Sequence, residues 1–307
     1  MPPADLLLSD RVKAEARRLG FAACGLARAE RVAPWREDEQ RRFVAEGRHA
    51  GMDYLARHLE LRLDPTLLLP GARTVVSVAL SYYDPRPFAP DALRLARYAL
   101  GSDYHDVVRG LLHALREAVC PDAEARICCD TAPVDERYWA MRAGVGFTGR
   151  SGQLIVRGAG TYHFLGELIV CREADRYDAP CEHIGCGSCR RCLDACPTGA
   201  LGPDGIDARR CLSYLTIENR GEIPAPFRSA LGACIYGCDR CAEVCPHNRH
   251  ARPTPVEALR ARPELLARTA QDWLALDVET YRRLFKGSAV KRAKYEGLVR
   301  NIRAATT

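Results

Sequence analysis

Apolar and polar positions along the first 170 residues follow two patterns. Short apolar runs bounded by glycine or proline predict strands, and stretches with apolar residues every three or four positions predict helices. The clearest strand is the continuous apolar run 74–80, which predicts burial on both faces. The predicted helices are 9–19, beginning with Ser9 as N-cap, 34–46, 105–120 and 134–143. The predicted strands are 21–26, 74–80, 125–129, 153–156 and 162–171.

This alternation predicts an α+β layer domain over residues 1–175. A cysteine-dense block follows over 176–250, where loops and short helices are expected. Residues 251–307 read as a basic helical segment. We therefore expect two folded domains and a short C-terminal extension.

Eight of the 15 cysteines fall into a pattern typical of iron–sulfur proteins. The first run has CxxCxxCxxxC spacing, the second has CxxCxxxC spacing, and each is followed directly by a proline. The cysteines concerned are Cys186, Cys189, Cys192 and Cys196 in the first run, Cys211 between the runs, and Cys238, Cys241 and Cys245 in the second. Eight thiolates can hold two [4Fe–4S] clusters.

Cross-ligation, in which the last cysteine of a run binds the other cluster, predicts how the eight divide. One cluster takes Cys186, Cys189, Cys192 and Cys245, and the other takes Cys196, Cys211, Cys238 and Cys241. Zinc is the alternative, because paired CxxC units also form zinc ribbons, but the third cysteine at two-residue spacing and the CP endings are poor zinc features. Disulfides fit less well in a long chain without a secretory signal.

Charge is distributed unevenly along the 307 residues, whose net charge is +6. Residues 246–307 contain 13 Lys and Arg against 6 Asp and Glu, so the rest of the chain is nearly neutral. The excess favours a polyanionic partner, although a solvated helical face would give the same count. No apolar run is long enough to span a membrane, and no export signal is apparent, so we expect a cytoplasmic protein.

Asp130 is the candidate for acid–base chemistry, because it ends a predicted strand just before Ala132 and Pro133. A carboxyl beside an apolar cofactor is expected to have a raised pKa and to donate a proton. Capping of the following helix is an equally good reading of the local sequence. His105 reads as a helix-start residue rather than a ligand. No GxGxxG follows a strand, so a Rossmann cofactor site has no support.

Several segments together resemble the epoxyqueuosine reductase family, cobalamin-dependent iron–sulfur enzymes that complete queuosine at the tRNA wobble position. Besides both cysteine runs, the segments are 51–58, 68–71, 97–105, 130–133, 143–149, 164–168, 207–218 and 287–290. The resemblance implies a nitroreductase-like cobalamin-binding domain followed by a two-cluster ferredoxin-like domain. Electrons would pass from the two clusters to base-off cobalamin, with Asp130 as proton donor.

The resemblance also implies residue roles and partners. The cofactor-binding residues are expected to be Arg57, Tyr98, Asp130, Thr148, Arg150, Ser213 and Asp239. The partners would be epoxyqueuosine-containing tRNA and a flavodoxin- or ferredoxin-type electron donor, with the protein a monomer away from membranes. Because the chain stops at Thr307, without the C-terminal helical repeats of longer members, tRNA contact is assigned to basic residues elsewhere. These are Arg209, Arg210, Lys291, Arg292 and Lys294.

Two other functions fit parts of the pattern. A cobalamin-dependent reductive dehalogenase would use the same cofactors, but those relatives usually carry a twin-arginine signal, which this sequence lacks. A ferredoxin-like electron-transfer subunit would explain the cysteines but not the separate N-terminal domain with its Asp130 turn.

Overall fold

The computed structural model describes residues 6–182 and 185–306. The strands are β1 (Ala23–Arg28), β2 (Thr74–Ser81), β3 (Arg94–Leu95), β4 (Ala125–Cys128), β5 (Gly146–Thr148), β6 (Leu154–Val156), β7 (His163–Val170), β8 (Leu201–Gly202), β9 (Gly205–Ile206) and β10 (Cys234–Tyr236). The first helices are α1 (Ser9–Arg18), α2 (Pro34–Ala45), α3 (Tyr54–Arg57), α4 (Leu59–Leu63), α5 (Pro65–Leu68), α6 (Tyr104–Val119) and α7 (Glu136–Arg142). The later ones are α8 (Arg191–Asp194), α9 (Leu212–Ile217), α10 (Ala225–Leu231), α11 (Arg240–Glu243), α12 (Pro263–Ala267), α13 (Ala270–Leu274), α14 (Val278–Leu284) and α15 (Lys294–Thr306).

The central sheet is antiparallel throughout, with strand order β1-β2-β7-β4. All eight residues of β2 are buried, as its continuous apolar run predicts. Side chains alternate along the strand, so Val76 and Val78 pack in one core and Val75 and Ala79 in the other. Helices therefore cover both faces of the sheet, and the expected α+β class is confirmed.

One core lies under α1 and α6, which contribute Val12, Leu112 and Leu115. The other lies under α7, which contributes the fully buried Trp139. Gly144 ends α7 with a positive φ of 71°, a backbone conformation that glycine adopts without steric cost. These two layers fix the positions of β4 and α7, and hence of the loop between them.

The predicted elements of the sheet domain lie within about two residues of the observed ones. Ser9 is the first helical residue rather than the N-cap, so that prediction is wrong. Leu8 is the cap residue, and the Ser9 N–H donates to Asp175 Oδ1 at 2.8 Å. An aspartate distant in sequence thus satisfies the helix start, which local sequence does not reveal.

The C-terminal segment is helical, as expected, but it is folded onto the protein rather than being a free arm. Its buried Trp273, Phe285 and Leu298 form a core with β3 and β10. These two strands pair in parallel, and they come from parts of the chain about 140 residues apart (Leu95 pairs with Tyr236). The segment therefore holds the sheet domain and the cysteine-rich region together.

Candidate active site

A cavity of about 620 Å³ lies between the sheet domain and the cysteine-rich region. Tyr98, Asp130 and Thr148 line it from one side, and Ser213 and Tyr214 of α9 from the other. A cleft of this size, between two folded units and with a few polar groups converging in it, is typical of cofactor sites. The cavity therefore brings together four predicted site residues that are far apart in sequence, namely Tyr98, Asp130, Thr148 and Ser213.

Asp130 follows β4 directly and has a positive φ of 56°, which is uncommon outside glycine but enriched in aspartate. Its backbone N–H donates to Glu136 Oε1, which satisfies the turned backbone. Its side chain is 57% exposed. Asp135, not Asp130, caps α7 by accepting from the Tyr138 N–H, so the capping alternative for Asp130 is wrong.

Two neighbours from the start of α6 hold the Asp130 carboxylate. The Tyr104 hydroxyl donates to Asp130 Oδ2 at 2.6 Å, and His105 Nε2 lies 3.1 Å from the same oxygen. The other ring nitrogen of His105 lies 2.7 Å from Asp103 Oδ1. His105 is thus both a helix-start residue and a site residue, because Asp103 accepts from its backbone N–H as the helix cap.

These contacts decide the charges at the site. Burial lowers the pKa of His105, but hydrogen bonds to Asp103 and Asp130 outweigh burial and raise the pKa to about 9. Partial desolvation by the cavity walls acts to raise the pKa of Asp130, but hydrogen bonds from His105 and Tyr104 lower it below the ordinary value. The expected rise, which concerns a carboxyl beside an apolar cofactor, stays a prediction. At neutral pH the pair is an imidazolium hydrogen-bonded to a carboxylate.

Glu136, the first residue of α7, lines the same cavity as Asp130. Burial, followed by the nearby negative charge of Asp130, raises the pKa of Glu136 to about 8. Its carboxyl is thus mostly protonated at neutral pH. Sequence reasoning assigned no role to Tyr104, although it lies in the family-like segment 97–105, and none to Glu136, which lies outside every such segment. Both reach Asp130 only through the tertiary fold.

The cluster cysteines fall into two spatial groups. A small cavity of about 100 Å³ is lined by Cys186, Cys189, Cys192 and Cys245. The other four, Cys196, Cys211, Cys238 and Cys241, line the large cavity. This is the division that cross-ligation predicts, and thiols gathered around one cavity are a suitable donor set for a cluster. The assignment of each ligand stays a prediction. Cys234, the cysteine left over, is hydrogen-bonded to Cys238.

Three predicted cofactor residues do not line the large cavity. Arg57 is exposed, whereas Arg62 of α4 lines the cavity, with its buried Nε atom unpartnered. Arg150 lies at the small cysteine cavity, where its guanidinium donates to Gly187 O at 2.9 Å. Asp239 Oδ2 accepts from the Arg97 N–H at 2.7 Å, and burial raises the pKa of Asp239 to about 6.

Three of the predicted tRNA residues are engaged within the protein. Arg209 pairs with Asp207, and Arg210 donates two hydrogen bonds to Thr198 O. Arg292 forms a two-pronged ion pair with Glu218, both distances being 2.8 Å. The other two, Lys291 and Lys294, are exposed.

Two family models match the chain. Residues 185–248 match a 4Fe-4S double cluster binding domain, and residues 62–131 match "Epoxyqueuosine reductase QueG, DUF1730". The first match covers all eight cysteines of the two groups and favours clusters over zinc. The second ends one residue past Asp130.

Curated relatives cover nearly the whole chain. Epoxyqueuosine reductases of Cellulophaga algicola and Leadbetterella byssophila are 38% and 40% identical to it. Each match covers 96% of this chain, and 96% and 97% of the relatives. The chain belongs to the epoxyqueuosine reductase family. The family assignment made from the sequence segments is thus confirmed, as is the oxidoreductase class.

Solved structures of the epoxyqueuosine reductase family share this fold. One, containing a tRNA-Tyr epoxyqueuosine-modified stem loop, has a TM-score of 0.85 and 30% identity. Another, from Bacillus subtilis, has a TM-score of 0.85 and 29% identity, and its aspartate catalytic loop is swung out of the active site. Both matches cover 96% of this chain and 80% of the other. The match to a 4Fe-4S double cluster binding domain confirms the two expected [4Fe–4S] clusters, and cobalamin stays an expectation from the family resemblance.

Membership of the epoxyqueuosine reductase family also decides between the alternatives. Neither a dehalogenase nor a stand-alone electron-transfer subunit accounts for full-length identity of about 40% to epoxyqueuosine reductases. Among residues 6–182 and 185–306, no helix has both the length and the apolar character needed to cross a bilayer.

Proposed function

We propose that the protein reduces epoxyqueuosine in tRNA to queuosine in the cavity between its two halves, with Asp130 and His105 delivering a proton. The observation that carries this proposal is the position of Asp130. Its carboxylate borders the same cavity as four cluster cysteines on the opposite wall. Proton delivery and electron delivery therefore meet in one space, as reduction of a carbon–oxygen bond requires.

The cavity walls are suited to cobalamin. Tyr98, Thr148 and Ser213 offer hydroxyl groups from both sides, and the unpartnered Nε of Arg62 offers a buried donor. These residues would hold the cofactor. When bound, cobalamin supplies a cobalt centre that passes electrons from the clusters to the substrate. Bulky cofactor surface in the cavity would also exclude water from Asp130.

Asp130 is proposed to act together with His105, because an ionised carboxylate by itself has no proton to give. His105 carries the proton at neutral pH, and its Nε2 lies 3.1 Å from Asp130 Oδ2. Transfer along this hydrogen bond would make Asp130 the acid that faces the substrate oxygen. The Tyr104 hydroxyl, 2.6 Å from the same oxygen, keeps the carboxylate oriented.

Binding of tRNA is proposed to involve the exposed Lys291 and Lys294. They lie next to the Arg292–Glu218 ion pair, and Glu218 lines the cavity, so the basic surface adjoins the cavity mouth. Phosphate contacts from lysine provide sequence-independent affinity. A relative's structure with a modified tRNA stem loop supports this class of substrate. A flavodoxin- or ferredoxin-type protein is the proposed electron donor, acting on a cytoplasmic monomer.

The decisive experiment compares nucleosides from tRNA of cells with and without this protein. Accumulation of epoxyqueuosine in the deletion strain, reversed by the intact gene but not by an Asp130→Asn gene, is the expected result. Normal queuosine in a deletion strain with no second such enzyme would rule out the function. Purified protein supplied with cobalamin, a reductant and epoxyqueuosine tRNA should give the same answer by mass spectrometry.

A further inference from the structure

The reaction needs more protons than the Asp130–His105 pair holds. Converting an epoxide to an alkene and water consumes two electrons and two protons. The hydrogen-bonded pair carries one transferable proton at neutral pH, on His105. A second proton must come from another group at the cavity or from solvent, and solvent access is restricted once cofactor and tRNA occupy the cavity.

Glu136 is positioned to supply the second proton. It is half-buried, lines the cavity with Asp130, and accepts the Asp130 N–H at Oε1. Because that N–H occupies Oε1, a proton on this carboxyl belongs on Oε2. Helix α7 and the sheet beneath it fix the position of Glu136, which is the first residue of the helix.

Burial and the charge of Asp130, which faces Glu136 from the loop after β4, keep Glu136 in the acid form. Tyr104 of α6 and the fully buried Glu167 of β7 also face it, but burial raises the pKa of each, which favours their uncharged forms. Arg62 of α4 and Arg137 of α7 act in the opposite direction, but burial and Asp130 outweigh them. Neighbouring Asp135 is neutralised by its ion pair with Arg36. Burial together with one nearby carboxylate therefore favours the protonated carboxyl of Glu136.

We propose that Glu136 is the second proton donor of the active site. The inference rests on the proposed reduction of epoxyqueuosine. One proton, delivered through Asp130, turns the epoxide oxygen into a hydroxyl as the first carbon–oxygen bond breaks. The Glu136 O–H bond then breaks, and its proton joins that hydroxyl, which leaves as water as the second carbon–oxygen bond breaks. The two electrons come from the clusters, and Glu136 regains its proton from water when the cavity opens.

Glu167 provides a matched control. Its side chain is completely buried in β7, Ser77 donates to Oε1 at 3.2 Å, and Oε2 has no partner. Burial first, and then Glu136, raise the pKa of Glu167 well above its usual range. It does not line the cavity. Glu167→Gln therefore removes a carboxyl from the same region without removing a proton donor.

The first test uses the protein without cofactor. Infrared spectra should show a protonated-carboxyl band that disappears as pH rises through about 8. The band that titrates near 8 should be absent in Glu136→Gln and present in Glu167→Gln. If no carboxyl band of the unmodified protein titrates near 8, the proposal fails.

The second test uses the loaded enzyme and epoxyqueuosine tRNA. The wild-type rate should fall as pH rises through about 8, because the acid form of Glu136 is lost. Glu136→Gln keeps an oxygen that accepts from the Asp130 N–H but has no acidic proton to transfer, so the rate should drop on the order of 10²-fold. The rate of this variant should still fall as pH rises through about 9, where His105 loses its proton. Glu136→Asp should recover part of the rate.

The outcomes separate the two proposals. An unmodified protein that does not reduce epoxyqueuosine would reject the proposed function. A normal rate and an unchanged pH profile in Glu136→Gln would overturn the second-donor role while leaving the function intact. Activity lost in Glu136→Ala but kept in Glu136→Gln would also overturn it, since Glu136 would then only position the Asp130 loop.

Discussion

The Asp130 carboxylate takes its properties from two residues at the start of α6. Tyr104 and His105 stabilise its charged form more strongly than burial opposes that form. Asp130→Asn keeps the shape but cannot carry the proton, so we expect cobalamin binding to persist and turnover to fall on the order of 10²–10⁴-fold. Absorbance titration with cobalamin and nucleoside analysis of tRNA measure the two effects. Turnover near that of the unmodified protein would leave Asp130 with a packing role.

The same substitution should change the titration of His105. Hydrogen bonds to Asp103 and Asp130 raise the pKa of His105 to about 9, and Asp130→Asn removes the charge of the second partner. The imidazolium should then be lost at a lower pH than in the unmodified protein, which NMR of the ring protons can follow. An unchanged midpoint would mean that Asp103 alone sets the pKa.

The cysteines allow a second test at the scale of single residues. Cys192 lines the small cavity, while Cys196, one helical turn on, lines the large one. Cys192→Ser and Cys196→Ser should therefore disturb different clusters, giving different surviving EPR signals and about half the iron in each protein. Identical surviving signals would contradict the assignment.

At the scale of single residues, the sequence indicated a role only where the residues that act together are close in the chain. The cysteine spacing is such a signal, because two-residue gaps place neighbouring thiolates around one cluster. The role of Asp130 was ambiguous, because an aspartate between a strand and a helix has the same local sequence whether it caps the helix or donates a proton. Tyr104 lies in the family-like segment 97–105, but nothing in that segment pairs it with Asp130, and Glu136 lies outside every such segment. Both meet Asp130 only after β4, α6 and α7 have packed.

At the scale of elements, the ion pair between α2 and the start of α7 holds the wall of the cavity. Arg36 donates to both Asp135 oxygens, at 2.5 and 3.1 Å, and Gln40 donates to one of them at 2.8 Å. Asp135 is buried, where a charged side chain needs a partner. The polar residue is tolerated because α2 supplies its partners.

Removing Arg36, the cationic partner of Asp135, should destabilise the folded protein. Arg36→Met would leave the Asp135 carboxylate buried without its cation, with an expected loss of about 3 kcal/mol in the free energy of unfolding, measured with urea. Arg31→Met, which breaks the exposed pairing with Glu37, is the control and should cost much less. Equal losses in the free energy of unfolding would show that the Arg36–Asp135 pair contributes no more stability than the exposed Arg31–Glu37 pair.

The pH dependence of that stability has a definite sign. Burial opposes ionisation of Asp135, but Arg36 and Gln40 outweigh it and lower the pKa. The contribution is therefore present above the unfolded pKa of about 3.9 and lost as pH falls through the folded value. In Arg36→Met this acid-side loss should shrink.

Secondary structure was predicted well in the sheet domain because its strands and helices have clear periods. The segment 51–58 was recognised as a motif but not as helical, since α3 is only four residues long. The pairing of β3 with β10 was missed because a two-residue strand has no periodicity to read.

At the scale of the whole molecule, charge links the C-terminal segment to substrate. Lys291→Gln with Lys294→Gln should weaken tRNA binding and flatten the slope of log affinity against log salt by about 1.5 units, if each lysine contacts one phosphate. Changing both lysines to Arg keeps the charge and should keep the slope. A slope unchanged in the Gln variant would point to a solvated helix surface and a tRNA site elsewhere.

The parallel pairing of β3 with β10 has a consequence for synthesis of the chain. Strand β3 cannot pair until about 140 further residues have been made, since Leu95 lies opposite Tyr236. At the usual 5–20 residues per second, that is roughly 7–28 s on the ribosome. Throughout this interval the apolar Leu93 and Leu95, buried in the finished protein, lack the partners that β10 and the C-terminal segment supply. Chaperone dependence during translation should therefore be concentrated in this early segment.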